Sequence, residues 1–555
     1  MKKYNKYYLI ISIFIGLLAL NRTSQATIND DFQSILSQDE LENSIHMFEQ
    51  LQQPQNNPNK VEYDQVIDLL KRHRIEDARA KISELLKQNP NQPNFHNLQA
   101  LLGIVTHDKA LSKQSFKNSI EIDSNGVFAL YGLAKLAFEE GQLKESQDFA
   151  NRVLKVNNKI INAQFLLADV AYVQSNYSEA EQILLNTLKS ATGNVLAEVE
   201  VVNNLGRFYQ AQNQTDKILQ LSQSLSQRYP KNPNVLSLLA QSQILNNQPE
   251  EAEKTLRTLL QQKINDVNHR VILAKLISDD IRKDKEVIDL LNEAVAIDPN
   301  NFQARIYKTT YLMKRNRNKE ALELAKKIDT ELPSQVIGKL LQGDIYFAMS
   351  QYDKALAAYQ LAYTIQPTNK VLFLISDLLN LLKKPNEAIS FLKQELDRNP
   401  DNTAIHSKLA LNYDDLGEKN LAAKHYQFVL STEPNNALAL NNLAWIYFSQ
   451  NNAKAIILAR KAYEIAPNSA AIADTYGYIL LKTGHAKEAL DIIEKAFSLD
   501  SMAYDIQFHL AEALLATNNN PPAVKLLSKI ASLKQNIPEK AKAIELLNTL
   551  KNDSN

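Results

Sequence analysis

Small side chains recur in this chain on a fixed beat. Ala321, Ala355, Ala388, Ala422, Ala455, Ala489 and Ala523 follow one another at steps of 34, 33, 34, 33, 34 and 34 residues. Prolines keep the same time: Pro333, Pro367, Pro400, Pro434 and Pro467 each lie twelve residues after one of these alanines, and Pro299 sets the interval one step earlier. Two residue types locked in one register demand a stack of like units and exclude a set of unrelated domains. About twelve residues before each Ala stands an apolar and small pair, as in Leu409-Ala410, Leu443-Ala444, Tyr476-Gly477 and Leu510-Ala511, and the line Tyr346, Tyr413, Tyr447, Leu480 supplies a large apolar residue three positions on. Two antiparallel helices approach closely where the crossing carries Gly, Ala or Ser, while larger residues at helical spacing fill the space around it. Pro then stops the second helix, because it lacks an N–H and holds the residue before it out of the helical region. With only 12 Gly and 17 Pro in 555 residues, the connections between helices must be short.

Extended in both directions, this register predicts about fourteen units, beginning near residues 62, 95, 126, 160, 198, 233, 266, 301, 335, 369, 403, 437, 470 and 503. The upstream ones are more degenerate, marked by Ala78 with Pro90, Leu133-Ala134 with Gly141, Leu167-Ala168 with Ala180, Leu205-Gly206 with Pro230 and Leu239-Ala240 with Ala252. The unit near 95 reads as having a shortened turn, and the one near 266 carries Lys283, Asp284 and Lys285 in an irregular connector. The resulting division is a signal peptide over 1–26, an N-terminal helix and linker over 27–60, degenerate units over 61–300, regular units over 301–535, and a capping helix and tail over 536–555. The apolar line Phe32, Ile35, Leu36, Leu41, Ile45, Phe48 and Leu51 marks the early helix, and Ala541, Ile544, Leu547 and Leu550 mark the last. A stack of repeats needs both end faces covered, which is the role expected of these two helices. The tail Asn552 to Asn555 reads as disordered.

The pattern resembles the tetratricopeptide repeat, a helix-turn-helix unit of 34 residues with small residues at its positions 8, 20 and 27 and Pro at 32. The resemblance implies an all-α, right-handed superhelical solenoid of about fourteen such units with terminal capping helices, and no catalytic machinery.

Lys2, Lys3 and Lys6 precede an apolar run from Tyr7 to Leu20, and Asn21 to Ala26 then turns polar and ends on small residues. This is the three-part form of a secretory signal, with cleavage expected after Ala26. The apolar run is shorter than the roughly 20 residues that cross a bilayer, so an uncleaved membrane anchor is the alternative. No other segment approaches spanning length, so no transmembrane segment is expected after cleavage. Absence of Cys removes disulfides, thiolate nucleophiles, Cys-ligated metal and a lipidated N-terminal Cys. Equal numbers of basic and acidic residues, 62 each, leave no long-range field for nucleic acid. The expected location is the periplasm, with membrane association or secretion as variants.

Little in the sequence supports chemistry. The nine His residues are scattered, no H-E-x-x-H or glycine-rich loop is present, and neither a cofactor nor a metal is expected. His406 with His425 and Asp414 with Asp415 are the nearest to catalytic pairs. His425 reads as a partly exposed surface residue, and adjacent aspartates on a helix point about 100° apart, poor geometry for paired acid and base work. A binding surface is the stronger expectation, since stacking leaves the first helix of each unit along one face. By the resemblance, positions 2, 5, 9, 12 and 13 face that groove. They map onto Asp344, Phe347, Lys370, Phe373, Asp377, Asn380, Leu411, Asp414, Asp415, Asn441, Trp445, Phe448, Asp474, Tyr478 and Lys482, among which Trp445 is the only Trp of the chain. Aromatic faces hold sugars or peptide side chains, and Asp and Asn give directional hydrogen bonds. Packing between neighbouring first helices is the alternative role for Trp445, Phe448 and Tyr478. The carboxylates at Asp344, Asp377, Asp414 and Asp474 favour a basic or hydroxyl-rich ligand, or else form a merely solvated face. They disfavour the Lys and Asn clamp that some repeat proteins of this kind close on a peptide C-terminus. Lys314, Arg315, Arg317 and Lys319 fall in a turn, where solvation or an anionic partner is expected.

From Asn441 to Leu533, the segments Asn441-Asn442-Leu443-Ala444-Trp445, Ala473 to Tyr478 and Phe508-His509-Leu510-Ala511, with one residue deleted between Asn451 and Ala455, resemble the C-terminal region of periplasmic repeat proteins of bacterial exopolysaccharide export and PEP-CTERM/exosortase systems. Members of that group are often longer and often lipoproteins, unlike this Cys-free chain. The functional expectation is an exported, non-enzymatic scaffold holding protein partners in a cell-envelope or exopolysaccharide assembly. Direct polysaccharide binding by the same aromatic groove is the alternative, and a cytoplasmic chaperone adaptor is a third reading.

Overall fold

The computed structural model describes residues 60–552 apart from His73 and Asn536. The signal-like segment, the helix expected around Phe32 to Leu51 and the tail 553–555 lie outside the described residues. These hold 29 α-helices and no strand. The helices form fourteen hairpins and one closing helix: Lys60–Lys71 with Ile75–Gln88, Pro93–Val105 with Lys109–Ile122, and so on to Tyr504–Ala516 with Asn520–Ala531, followed by Pro538–Asn552. They divide into two compact units, one ending at Lys308 and the other beginning at Thr309, within the helix Phe302–Lys314.

The rhythmic alanines do what close approach requires. Ala321, Ala355, Ala388, Ala422, Ala489 and Ala523 are completely buried and Ala455 nearly so. On the first helix the facing position is equally tight. A Cβ added at Gly343 would come within 2.6 Å of Tyr359 Cδ1, and one at Gly477 within 2.5 Å of Ile493 Cγ1. The rhythmic prolines sit two residues beyond each second helix, and the residue before each has left the helical region: φ is −132° at Asp298, −130° at Leu332, −140° at Gln366, −135° at Asn399, −122° at Glu433 and −128° at Ala466, with ψ between 60° and 95°. A following Pro disfavours the helical region for its predecessor, consistent with the helix ending there.

The turn inside twelve of the hairpins carries a second device. Its middle residue is left-handed at Gly141, Gly417 and Gly484, and also at His107, Ser175, Asn213, Asn247, Asn316, Ser350, Lys383, Asn451 and Asn518, with φ between 54° and 91°. The next N–H then reaches back to close the helix end, as Glu418 N–H does to Tyr413 O at 2.8 Å and His485 N–H to Leu480 O at 2.9 Å. Five of the nine non-glycine residues are Asn, the side chain that best tolerates this conformation.

Four readings change. The unit near 95 has an ordinary three-residue turn between Val105 and Lys109. The unit expected to begin near 198 starts with a 17-residue helix, Val195–Ala211, one turn longer than the others; its fully buried Glu198 takes Gly193 N–H at 2.8 Å, Tyr229 OH at 2.9 Å and the Arg228 guanidinium, which holds its carboxyl low against the opposing effect of burial. The irregular connector ends in a short 3-10 turn, Ile281–Lys283, so Asp284 and Lys285 open the next helix. The closing helix packs through Ala543, Leu546, Leu547 and Leu550 against the last hairpin, while Ala541 and Ile544 face outward. The deletion between Asn451 and Ala455 is absorbed by the second helix, Lys454–Ile465, of 12 residues.

Two substitutions separate the devices. Gly417→Ala has open space but the wrong φ, +82°, and should cost about 1–2 kcal/mol from backbone strain alone. Gly477→Ala has an ordinary φ but no room, and should cost about 1–3 kcal/mol from overpacking. Urea unfolding of each variant measures both, and in a double-mutant cycle only the second should couple favourably to Ile493→Ala, which removes the crowding Cγ1.

Candidate functional site

The faces of the first helices come together as the register implies. Ala437–Ser449 touches Ala470–Lys482, which touches Tyr504–Ala516. On the first of these, Asn441, Trp445 and Phe448 share a stripe at helical spacing. On the second, Asp474, Tyr478 and Lys482 do the same. Trp445 lies 5.9 Å from Phe448 and 5.8 Å from Tyr478, ring centre to ring centre, and Phe448 lies 6.0 Å from Tyr478. All three rings are half-buried. The structure adds His509, which the sequence reading passed over: its imidazole stacks on Tyr478 at 4.0 Å and its Nδ1 meets both Asp474 carboxylate oxygens at 2.9 Å. Burial alone would lower the His509 pKa, but Asp474, with Asp505 and Glu512 beyond it, outweighs burial and raises it.

The carboxylates are not free for a ligand. Asp377, 5% exposed, is ion-paired with Lys408 of the following first helix. Asp474 is taken by His509, and Asp344 accepts from its own hairpin's Tyr359 hydroxyl at 2.6 Å. Desolvation of Asp344 pushes its carboxyl up to about 6, against the hydrogen bond and Lys370, which pull it down. Lys482 donates to Glu512 at 2.7 Å and lies 5.0 Å over the Tyr478 ring. The expectation of a basic or hydroxyl-rich ligand drawn by open aspartates therefore fails at Asp344, Asp377 and Asp474. Asp414 stays half-buried and Asp415 exposed beside it. Phe347 packs on Tyr352 at 5.4 Å, Phe373 lies under Lys408, Asn380 donates to Asn412 at 3.0 Å, and Lys370 and Leu411 are exposed. In the basic turn, Arg317 pairs with Glu320 at 2.7 Å and Arg315 stacks on Tyr311.

Two polar constellations invite a chemical reading. His425 is partly exposed, as the sequence suggests, and it is also paired: its Nδ1 lies 2.8 Å from His406 Nδ1, and its ring stacks on Tyr413. His406 Nε2 faces Pro400 O at 3.0 Å and its ring stacks on Phe428 at 3.8 Å. With His406 Nε2–H donating to that carbonyl, a neutral His406 accepts from His425 Nδ1–H through its own Nδ1; burial first, and His406 second, push the His425 pKa down to about 4. In the other unit, Ser237 Oγ lies 2.8 Å from His269 Nε2, whose Nδ1 lies 2.9 Å from Asp266. Those are the distances of a nucleophile, a base and its orienting carboxylate. The N–H groups at the start of Pro233–Leu245 are already claimed, those of Asn234 and Val235 by the Asn232 side chain and that of Leu236 by the Asn232 carbonyl, so this helix start has no free N–H among these three to aim at a developing charge. Among the described residues no three His, Cys, Asp or Glu are placed to hold a metal ion, and no helix is long and apolar enough to cross a membrane.

The signal for these pairs was present but spread out. Asp377 and Lys408, Ser237 and His269, Asp474 and His509, and Lys482 and Glu512 are 30 to 35 residues apart, one unit from one another, on equivalent faces of successive first helices.

The two histidine sites give stability opposite pH slopes. For His425 the folded pKa is depressed, so the unfolded chain binds the extra proton between pH 6.5 and about 4. Stability should therefore fall across that range by on the order of 2–3 kcal/mol, and His425→Phe should flatten the slope. For His509 the folded pKa is raised, so its contribution is present below 6.5 and lost as pH rises above it. Asp474→Asn should remove that loss. Urea midpoints measured from pH 4.5 to 8.5 check both.

Models of the tetratricopeptide repeat match residues 209–276, 339–369 and 407–470. The chain is similar to a tetratricopeptide repeat protein 21 homolog of Caenorhabditis briggsae, with 20% identity over 491 residues, 78% of this chain and 36% of that relative, so it spans about a third of the relative's length. Among solved structures it is similar to the Cut9–Hcn1 hetero-tetramer of the APC/C, at 14% identity over 82% of this chain and 96% of that one, with a TM-score of 0.36. Naa15/Naa10 bound to HypK-THB shows 13% identity over 89% and 96%, with a TM-score of 0.38, and yeast Tom70 shows 15% over 83% and 96%, with a TM-score of 0.34. These three stretches are similar to the tetratricopeptide repeat, and hairpins of the same length nested on buried alanines continue the pattern beyond them among the described residues.

Proposed function

We propose that this chain is an exported, non-enzymatic scaffold that holds protein partners within a cell-envelope or exopolysaccharide assembly. The observation that carries the binding part is the half-buried ring cluster of Trp445, Phe448 and Tyr478, laid across two successive first helices. Half-buried aromatics held in place by their neighbours lose little freedom when a partner covers them, and such residues dominate interface energetics. Support for export is the three-part N-terminus with its apolar run from Tyr7 to Leu20. The link to exopolysaccharide systems rests on the wording of Asn441 to Leu533 alone. The N–H groups of Asn234, Val235 and Leu236, at the start of the helix that carries Ser237, are already hydrogen-bonded, which favours reading the Ser237–His269–Asp266 chain as a polar tie between helices.

Direct polysaccharide binding is the competing reading, favoured by the same aromatics. Capture of partner proteins by the tagged full chain, run beside retention on the native polysaccharide, separates the two. Trp445→Ala should cut partner capture by about tenfold or more, as expected of a residue worth about 2 kcal/mol, and leave polysaccharide retention unchanged; the reverse pattern favours the sugar reading. N-terminal sequencing of the mature protein tests export, with Thr27 as the expected first residue.

A further inference from the structure

Charge is spread unevenly over the connections that join one hairpin to the next. Four consecutive ones, residues 157–160, 191–194, 229–232 and 263–266, hold or lie within two residues of Lys155, Lys159, Lys189, Lys231 and Lys263. All five lysines are exposed, and none is ion-paired among the described residues. The one acid of these stretches, Asp266, is taken by His269, and the one Arg, Arg228, by the buried Glu198. The connections on either side reverse the sign. Residues 123–126 bring Glu121 and Asp123 with no basic residue, and 298–301 bring Asp298 alone. A chain with no net charge has thus gathered unbalanced positive charge on one stretch of one edge.

These connections are neighbours in space, all within the compact unit that ends at Lys308. Arg152 donates to Ser124 O at 3.1 Å across one step of the stack, and Arg228 pairs with Glu198 across another. Large apolar side chains stand in the same row: Val156 is 44% exposed, Leu196 61% and Ile264 69%. With two helices per unit, successive connections are about 16–20 Å apart. That is too far for the three tips to fill one pocket, and a folded protein partner binds through a contiguous packed centre. A nucleic acid takes the ammonium groups but has no use for aliphatic tips beside them. An anionic bilayer accepts both at once. Its headgroups attract each Lys within a Debye length, and separate apolar tips enter the headgroup and acyl boundary wherever they touch it.

We infer that the edge formed by these four connections docks on a bilayer containing anionic lipid, with the five lysines at the headgroup phosphates and Val156, Leu196 and Ile264 dipping into the interface. The inference goes beyond the scaffold reading and does not depend on the ring cluster around Trp445, which belongs to the other unit.

The test uses the chain from Thr27, the expected mature form, so that the apolar run from Tyr7 to Leu20 supplies none of the lipid contact. Co-sedimentation with vesicles of phosphatidylcholine, alone or with about 30% phosphatidylglycerol, measures partition. Partition should be stronger by about tenfold or more on the anionic vesicles and fall by about tenfold or more between about 50 and 500 mM NaCl. Lys155→Gln, Lys159→Gln, Lys189→Gln and Lys263→Gln together should weaken it by about tenfold or more. The same change at Lys117, Lys144, Lys254 and Lys285, exposed lysines of second helices in the same unit, should alter it less than about twofold. Leu196→Ser with Ile264→Ser should weaken it by about threefold or more, with helical circular dichroism unchanged in every variant. Partition indifferent to phosphatidylglycerol, or equal loss from the two lysine sets, overturns the docking edge. Loss from the first lysine set without loss from the Leu196 and Ile264 pair, or tighter binding to single-stranded DNA than to the anionic vesicles, overturns the bilayer as its occupant.

Discussion

Close approach of two helices across a small side chain is the interaction on which the rest of the molecule depends. Each buried alanine of the rhythm lets a second helix lie against its own first helix, and Gly343 and Gly477 perform the same service from the other side against Tyr359 and Ile493. Once every hairpin closes in this way, successive first helices fall side by side at a constant step. That step brings residues one unit apart into contact, which is why Asp377 reaches Lys408 and Asp474 reaches His509. The face on which binding is proposed is thus a consequence of the packing rule, not a separate structure added to it.

The hairpins were readable because their code is redundant. An alanine, a proline and an apolar pair all repeat, and each has one physical job, so degenerate units such as those marked by Ala78 or Ala252 could be placed from partial signals. The left-handed turn residue was not readable in the same way. Gly occupies it at 141, 417 and 484, but Lys383, His107, Ser175 and Ser350 hold the same φ, because backbone closure at the helix end fixes the conformation and tolerates several side chains there. Unit lengths also escaped where tertiary satisfaction decides them. The extra turn of Val195–Ala211 carries Glu198, buried beside Gly193 and under Arg228 and Tyr229, which lie 30 and 31 residues further on.

The face itself was half legible. Register alone put Trp445, Phe448 and Tyr478 on neighbouring stripes, and they do cluster. Charge was misjudged because each stripe was read by itself: an aspartate on one first helix looks available until the lysine or histidine one unit later is seen to reach it. The pairing of the partly exposed His425 escaped for a related reason, since its partner His406 and the ring of Tyr413 lie on the other helix of its hairpin.

The central claim is that small side chains at the crossing hold each hairpin closed. Ala422 is completely buried in a hairpin with no glycine at the crossing, and native-state hydrogen exchange on Ala422→Leu tests the claim most directly. The account predicts that amide protection collapses in the helices Thr403–Asp415 and Lys419–Thr432 and weakens in the hairpins on either side, with distant hairpins untouched. Unchanged protection across Thr403 to Thr432 would contradict it.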